Sequence, residues 1–184
     1  LKDLLALTPA QTAKFAVGTS GLASGPHMTY EWLRMKTGLT LNHVPYKGGG
    51  PSLVDAMAGQ IPLVINAAPA SFPHVRAGKL KPLAITSAQR HALLPSVPTF
   101  QEQGVDLVLQ NWAALFGAKG LNAQQRAYWD SLISATVAMP AWKTFVESNQ
   151  WEPEYLNSAE FRRYLAAEDK RLRSALADLG LAKQ

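Results

Sequence analysis

In the first half of the chain, short apolar runs alternate with segments whose apolar residues have the spacing of a helix. No other feature of the sequence limits the possible folds as much as this alternation. The predicted strands cover residues 14–17, 40–44, 61–65 and 82–86. The predicted helices cover residues 24–37, 51–58 and 66–77, and a glycine follows each of them. The run 61–65 is almost continuously apolar, which is typical of a strand buried on both faces of a parallel sheet. The pattern predicts an α/β fold with a parallel-rich sheet flanked by helices.

The second half of the chain changes character after Ser87. Prolines punctuate residues 93–99, a short helix is predicted over 100–103, and an apolar stretch within 107–117 predicts a long strand. The remainder is predicted to be helical. Three sequence features mark helix starts there: Asn122 with Gln125, Pro140, and Asn157 with Glu160. The last helix is predicted to run from 158 to Gly180 with one apolar stripe.

Composition excludes several classes of protein. The 184 residues include no cysteine, so disulfides and thiolate metal sites are ruled out. The net charge of +5 favours anionic partners, but the basic residues are scattered, which disfavours a nucleic-acid interface. No apolar run approaches the roughly 18 to 20 residues that a transmembrane helix needs. Because the chain starts at Leu1 inside a predicted element, we expect it to be a piece of a longer protein without its signal peptide.

The strongest candidate for a binding site is the glycine-rich stretch 44–51, Val-Pro-Tyr-Lys-Gly-Gly-Gly-Pro, between a predicted strand and a predicted helix. A helix N-terminus has free backbone N–H groups and binds anions. In a parallel sheet, this loop would lie at the same edge as the loops at Thr19 and Asn66, outside the carboxyl ends of the strands. We therefore expect a small carboxylate to bind between the loop 18–21 and the loop after Val44.

Each loop also has a simpler interpretation. Lys47 precedes the glycines, whereas a phosphate-binding P-loop has its lysine after them, so a nucleotide site is disfavoured. Glycines 48–50 could merely form a tight turn. The hydroxyls of Thr19 and Ser20 could belong to a helix cap and nothing more. Binding is favoured over these alternatives because the loops are predicted to lie together at one edge of the sheet.

Nothing in the sequence indicates catalysis. The four histidines lack metal-ligand spacing, and neither a nucleophile with its base nor a pair of carboxylates is readable: His27, His43, His74, His91. We expect no enzyme activity, no metal and no cofactor.

Four segments in order resemble the TctC-like extracytoplasmic solute receptors of tripartite tricarboxylate transporters, also called Bug proteins. They are Gly18-Thr19-Ser20-Gly21 with His27; Val44 to Gly49; Gly59-Gln60-Ile61 through Asn66 and Ala77 to Ser87; and Arg90 with Leu94 to Gly104. The resemblance is clear over residues 1–117, whereas the rest of the chain resembles the family only in being helical. The set is specific, although each piece by itself is weak.

The resemblance implies a type II periplasmic-binding-protein-like fold that captures a carboxylated solute for a membrane transporter in the periplasm. The chain would contain the second lobe (1–106), a returning hinge strand (107–118) and C-terminal helices that would pack on a first lobe (119–184). By the same resemblance, the family's ligand contacts map onto eight residues: Thr19, Ser20, Gly21, Ser24, Tyr46, Lys47, Gly48 and Asn66.

Three positions depart from the family pattern. Ala23 stands where glycine is usual, Pro62 where an acidic residue is common, and Asn66 where aspartate is common. Asn66 removes a charge that could contact an amino group of a solute. An alternative function remains open, in which the chain is an interaction module that does not bind solute and self-associates through exposed apolar helix faces when the first lobe is absent.

Overall fold

The computed structural model describes residues 1–7 and 9–178. The described residues divide into two compact units, one within 1–112 and one within 113–178. The first unit contains three strands, five α-helices and a 3₁₀ turn. In chain order these are α1 (Lys2–Leu5), α2 (Pro9–Thr12), β1 (Ala16–Thr19), α3 (Gly25–Thr37), β2 (Asn42–Pro45), α4 (Gly49–Met57), β3 (Leu63–Val64), α5 (Ala68–Arg76) and the 3₁₀ turn Gln101–Gln103.

The three strands form one parallel sheet in the order β2-β1-β3. Parallel neighbours need a crossover connection, which α3 supplies between β1 and β2, whereas α4 leads from β2 to β3 on the other side of β1. The central strand is the most buried, with Val17 1% exposed and Thr19 0% exposed. The α/β class, with a parallel sheet flanked by helices, is confirmed.

Helix α3 shows why the sequence pattern located its ends. Ser24 is the N-cap, and its Oγ accepts a hydrogen bond from the His27 backbone N–H at 3.3 Å. Gly38 ends the helix in the left-handed conformation at φ 72°, and its N–H donates to the Arg34 carbonyl. The helical spacing of Met28, Trp32 and Met35 predicted the buried face, and Met28 and Trp32 are buried, whereas Met35 is 40% exposed and Leu33 is buried in its place.

The core of the first unit is built from residues of the sheet, α3, α4 and α5 and from the segment that follows α5. Its members are Val17, Met28, Tyr30, Trp32, Leu33, Leu39, Leu41, Leu53, Ile61, Phe72, Val97, Phe100, Val105 and Leu107. The buried Tyr30 hydroxyl donates to the Leu41 carbonyl at 2.7 Å and accepts from the Leu41 N–H at 3.1 Å, so no polar group of that pair is left unsatisfied.

Two predicted strands are wrong. Residues 82–86 form a single bridge, Ile85 with Thr99, rather than a ladder. The N–H of Ile85 donates to the Pro98 carbonyl, and Pro82 has no N–H to offer a neighbouring strand.

Residues 107–118, expected as a long strand, pair with no strand among the residues the structure describes. Leu107 is buried, but the large apolar side chains farther along the run are exposed, with Leu115 at 78% and Phe116 at 71%. The Leu109 N–H donates to the Thr86 carbonyl at 3.0 Å, but no ladder forms here among the described residues, and an apolar run becomes a strand only where a neighbour pairs with it along a ladder.

The second unit contains three helices, α6 (Ala123–Ala138), α7 (Pro140–Ser148) and α8 (Ser158–Asp178). The predicted capping box of Asn122 with Gln125 is present at α6. At α8 the Asn157 side chain accepts from the Glu160 N–H at 3.0 Å, and the Glu160 carboxylate accepts from the Asn157 N–H at 3.1 Å. The predicted end of this helix at Gly180 lies outside the described residues.

Asp130 of α6 connects that helix to the start of α8. Its carboxylate accepts hydrogen bonds from the Ser158 N–H at 3.0 Å and from the Ser158 hydroxyl at 2.6 Å. Apolar burial in this unit is sparse, because Val146 is the one fully buried apolar side chain among its described residues. None of the helices in the described part of the chain is long and apolar enough to cross a membrane.

Candidate functional site

The loops that follow β1, β2 and β3 meet at the carboxyl edge of the sheet. The Tyr46 N–H donates to the Thr19 carbonyl at 3.0 Å, and the Gly48 N–H donates to the Ser20 carbonyl at 3.1 Å. On the other side of β1, the Ile65 N–H donates to the Gly18 carbonyl at 2.9 Å. All eight predicted site residues therefore lie in three loops joined by backbone hydrogen bonds. We call this edge the strand-end site, defined by residues 19–24, 46–50 and 66–67.

Close backbone approach shapes the loop after β1. Gly21 has φ 136°, a conformation that L side chains rarely adopt, and a Cβ there would lie 3.2 Å from the Tyr46 carbonyl. Ala23 has φ 57°, in the left-handed region that glycine occupies without strain. Ser24 has both of its hydroxyl roles filled, since it also donates to the Gly21 carbonyl at 2.7 Å.

Three of the predicted side chains are bonded inside the protein. The Thr19 Oγ1 lies 2.7 Å from His43 Nε2 in a hydrogen bond. The Tyr46 hydroxyl donates to Asp55 Oδ2 at 2.7 Å. This hydrogen bond, with smaller effects of burial and of the Asp55 charge, raises the pKa of Tyr46. The side chain of Asn66 spans two loops, as described below. These three groups hold the shape of the site.

Donors that remain free lie between the strands and the start of α4. Within the described chain, the Ser20 hydroxyl and the Lys47 ammonium have no hydrogen-bond or ion-pair partner, and Lys47 is exposed. The backbone N–H groups of Gly49 and Gly50 likewise have no acceptor among the described residues, because they open α4. The arrangement offers one cation, one hydroxyl and two backbone N–H groups at a helix N-terminus, which suits an anion.

Gly49 and Gly50 were missed as separate donors, because the sequence placed the start of the helix at Pro51. Proline is most frequent in the first turn, so it indicated a start two residues late. The Gly48 N–H, which was predicted to contact ligand, is instead bonded to Ser20.

A histidine pair beneath the site was also missed. The rings of His27 and His43 stack with centroids 4.4 Å apart at 10° between planes, and the Tyr30 ring also stacks with His43 at 5.6 Å. His27 Nδ1 accepts from the Ala23 N–H at 3.0 Å, and its Nε2 lies 3.6 Å from Glu31. The two histidines are 16 residues apart, so sequence spacing gave no signal of contact.

Burial lowers the pKa of His43, and a charge on His27 lowers it further, whereas Glu31 opposes them. His43 is therefore a neutral partner of Thr19 at neutral pH. No group of three or more His, Cys, Asp or Glu side chains in the described ranges could hold a metal ion.

Comparison with known proteins identifies the family. The model of the tripartite tricarboxylate transporter family receptor, TctC, matches residues 1–181. The chain belongs to this family. A TctC relative from Cupriavidus necator, the UPF0065 protein in the gbd 5′ region, is 30% identical over 183 residues, which is all of this chain and 56% of that protein. Protein BugT of Bordetella pertussis is 36% identical over 121 residues, 65% of this chain and 37% of BugT.

The TctC fold extends to solved structures. Rpa4515 of R. palustris, solved with adipate, superposes with a TM-score of 0.87 at 27% identity, covering 99% of this chain and 61% of that one. The chain thus spans little more than half the length of the proteins it matches.

Proposed function

We propose that this chain acts in a solute receptor that captures a small carboxylated organic solute for a tripartite tricarboxylate-type transporter in the periplasm. The observation that carries the proposal is the meeting of three strand-end loops where Ser20, Lys47, Gly49 and Gly50 have unused donors. Membership of the TctC family supports it. Similarity to Rpa4515, whose structure was solved with the dicarboxylate adipate, supports it as well.

The hydrogen bonds indicate which site residues would contact the solute and which would hold the loops. Ser20, Lys47, the Gly21 backbone and the N–H groups of Gly49 and Gly50 face the carboxylate. Thr19, Ser24, Tyr46, the Gly48 N–H and Asn66 hold the loops in place. Residues 1–106 serve as the receptor's second lobe, which binds the solute, 107–118 as a hinge segment and 119–184 as helices that pack on the first lobe. Binding requires no catalytic group, metal or cofactor.

Saturation-transfer NMR with adipate tests the proposal, and the neutral diamide of adipic acid is the matched control. We expect transfer to adipate with a Kd of about 1 mM or weaker, because donors from one unit bury little of a ligand. The diamide should give no transfer, since it lacks the charge that Lys47 and the α4 N-terminus recognise. Equal transfer to acid and diamide would contradict a carboxylate site.

Exposed apolar side chains in the second unit favour a second candidate, a self-associating module. Leu115, Phe116 and Tyr128 are 78%, 71% and 63% exposed, and Trp129 and Leu132 add to this surface on α6. Large exposed apolar patches mark interaction surfaces.

Light scattering over a range of concentrations tests this candidate with two variants on α6. Leu132→Lys should reduce self-association, whereas Ser131→Lys, an exposed position with the same added charge, should not. A monomer at every concentration would contradict the module.

A further inference from the structure

The side chain of Asn66 joins two of the loops at the strand-end site. Its Nδ2 donates to the Gly49 carbonyl at 2.9 Å, and its Oδ1 accepts from the Ala67 N–H at 2.8 Å. Asn66 follows β3, and Gly49 opens α4. One amide therefore uses a donor toward the start of α4 and an acceptor toward the start of α5, which an aspartate could not reproduce because a carboxylate has no donor.

Gly49 is a glycine because of this contact. A Cβ at position 49 would lie 2.4 Å from Asn66 Oδ1 and 2.7 Å from Nδ2. The backbone of Gly49 is outside the left-handed region, so its conformation alone does not require glycine. At Gly50, one residue on, a Cβ would meet nothing within 4 Å. Residues 66 and 49 are thus a matched pair in direct packing contact.

The Gly49 carbonyl accepts hydrogen bonds from Asn66 and also from the Ser52 hydroxyl at 2.8 Å, and the bond from Asn66 bears on a donor as well as on this acceptor. The Gly49 carbonyl and the Gly50 N–H belong to one planar trans peptide, in which the C=O and N–H point in opposite directions. Holding the carbonyl toward Asn66 aims the Gly50 N–H away from Asn66. That N–H has no acceptor among the described residues.

We propose that Asn66 is a positioning residue that aims the Gly50 N–H into the strand-end site without itself contacting the solute. This inference rests on the proposed function, because it assigns the Gly50 N–H to the carboxylate. Thr19 and Tyr46 anchor the loops after β1 and β2 in the same manner, and Asn66 anchors the first turn of α4.

The contact is tested without ligand by a pair of melting experiments. Gly49→Ala should lower the Tm by several degrees in the wild-type background, because its Cβ meets the Asn66 amide. In the Asn66→Ala background the same change should leave the Tm level or raise it slightly. Gly50→Ala is the control and should shift the Tm equally in both backgrounds. Equal shifts for Gly49→Ala in both would overturn the pairing.

The positioning role is tested by ¹⁵N–¹H NMR titration with adipate. At saturation, Asn66→Ala should reduce the shift change of the Gly50 amide to less than half of the wild-type value and leave that of Ser20 unchanged, with affinity about tenfold weaker. A loss of stability alone would not make the shift changes of the Gly50 and Ser20 amides differ at saturation. Equal responses of the two amides in both proteins would overturn the proposal.

Two aspartate variants separate the loss of the Asn66 donor from the effect of an added negative charge. Asn66→Asp keeps the acceptor for Ala67 and loses the donor for Gly49, whereas Asn42→Asp adds the same charge at an exposed residue of β2. Asn66→Asp should weaken adipate binding by well over tenfold, and Asn42→Asp by less than twofold. Equal losses would overturn the proposal. If wild-type protein gives no shifts with adipate, the proposed function fails and the positioning role with it, while the melting pair still decides the contact.

Discussion

At the scale of single residues, Gly18 has little room for a side chain. A Cβ there would lie 2.5 Å from Ile61 Cδ1 and 3.1 Å from Tyr46 Cε2, in the central strand of the sheet. Overpacking a core site forces neighbours out of their preferred rotamers. Gly18→Ala should therefore lower the free energy of unfolding by about 1–3 kcal/mol, measured by urea denaturation. A change below experimental error would mean that the sheet edge is looser than described.

His43 makes the stability of the folded protein depend on pH. Its pKa is lowered in the folded state, chiefly by burial and then by His27. In the window from the ordinary histidine value of about 6.5 down to the lowered value, the unfolded chain binds a proton that the folded chain does not. The free energy of unfolding should therefore fall as the pH falls through this window. Below the folded-state pKa both states bind the proton, so His43 causes no further fall.

Replacing His43 tests this linkage. His43→Gln keeps a side-chain amide that can donate to or accept from Thr19, and it should flatten the decline in stability between about pH 6.5 and the lowered pKa, measured as urea midpoints against pH. His74→Gln, at a histidine outside the stacked pair, is the control and should keep the decline. An unchanged slope in His43→Gln would assign the dependence to other groups.

The residue types of the site were predictable, but their partners were not. Thr19, Ser20, Tyr46 and Lys47 follow apolar runs at strand ends, and that position is readable from sequence. The bonds of Tyr46 to Asp55 and of Thr19 to His43 depend on which side chains the fold brings together. Neither pair has a spacing that would indicate contact, because the partners belong to different elements.

At the scale of elements, α3 is fixed by its N-cap. Ser24→Ala should lower the free energy of unfolding by about 1 kcal/mol, because the His27 N–H would lose its acceptor. Ser24→Asp should lose less, since a carboxylate accepts the same bond and is favoured at a helix N-terminus. Denaturation midpoints in urea distinguish them, and an equal loss in both variants would contradict capping as the cause.

Helices were predicted better than strands for a physical reason. Caps, prolines and terminal glycines act within a few residues, so Ser24, Gly38, Asn122 and Pro140 located helix ends correctly. A strand needs a partner elsewhere in the chain. Residues 82–86 and 107–118 have apolar strand patterns but no ladder in the described chain, and no local signal could have shown this.

At the scale of the whole molecule, the two units differ in how much apolar surface they bury. The buried apolar side chains belong to residues 1–112 except for Val146 among those described. A protein of residues 1–112 should therefore retain a cooperative thermal transition by circular dichroism. Residues 113–184 alone should melt gradually, since few buried side chains link their helices. A sharp transition in 113–184 would show a core that burial does not reveal.

The central claim is that the carboxyl edge of the β2-β1-β3 sheet binds a carboxylate through loop donors. The most direct test is a ¹⁵N–¹H NMR titration of the whole chain with adipate, mapping every shifted amide. We predict saturable shifts concentrated in residues 19–24, 46–50 and 66–67. Shifts that are absent, or that concentrate in residues 113–178, would contradict the account.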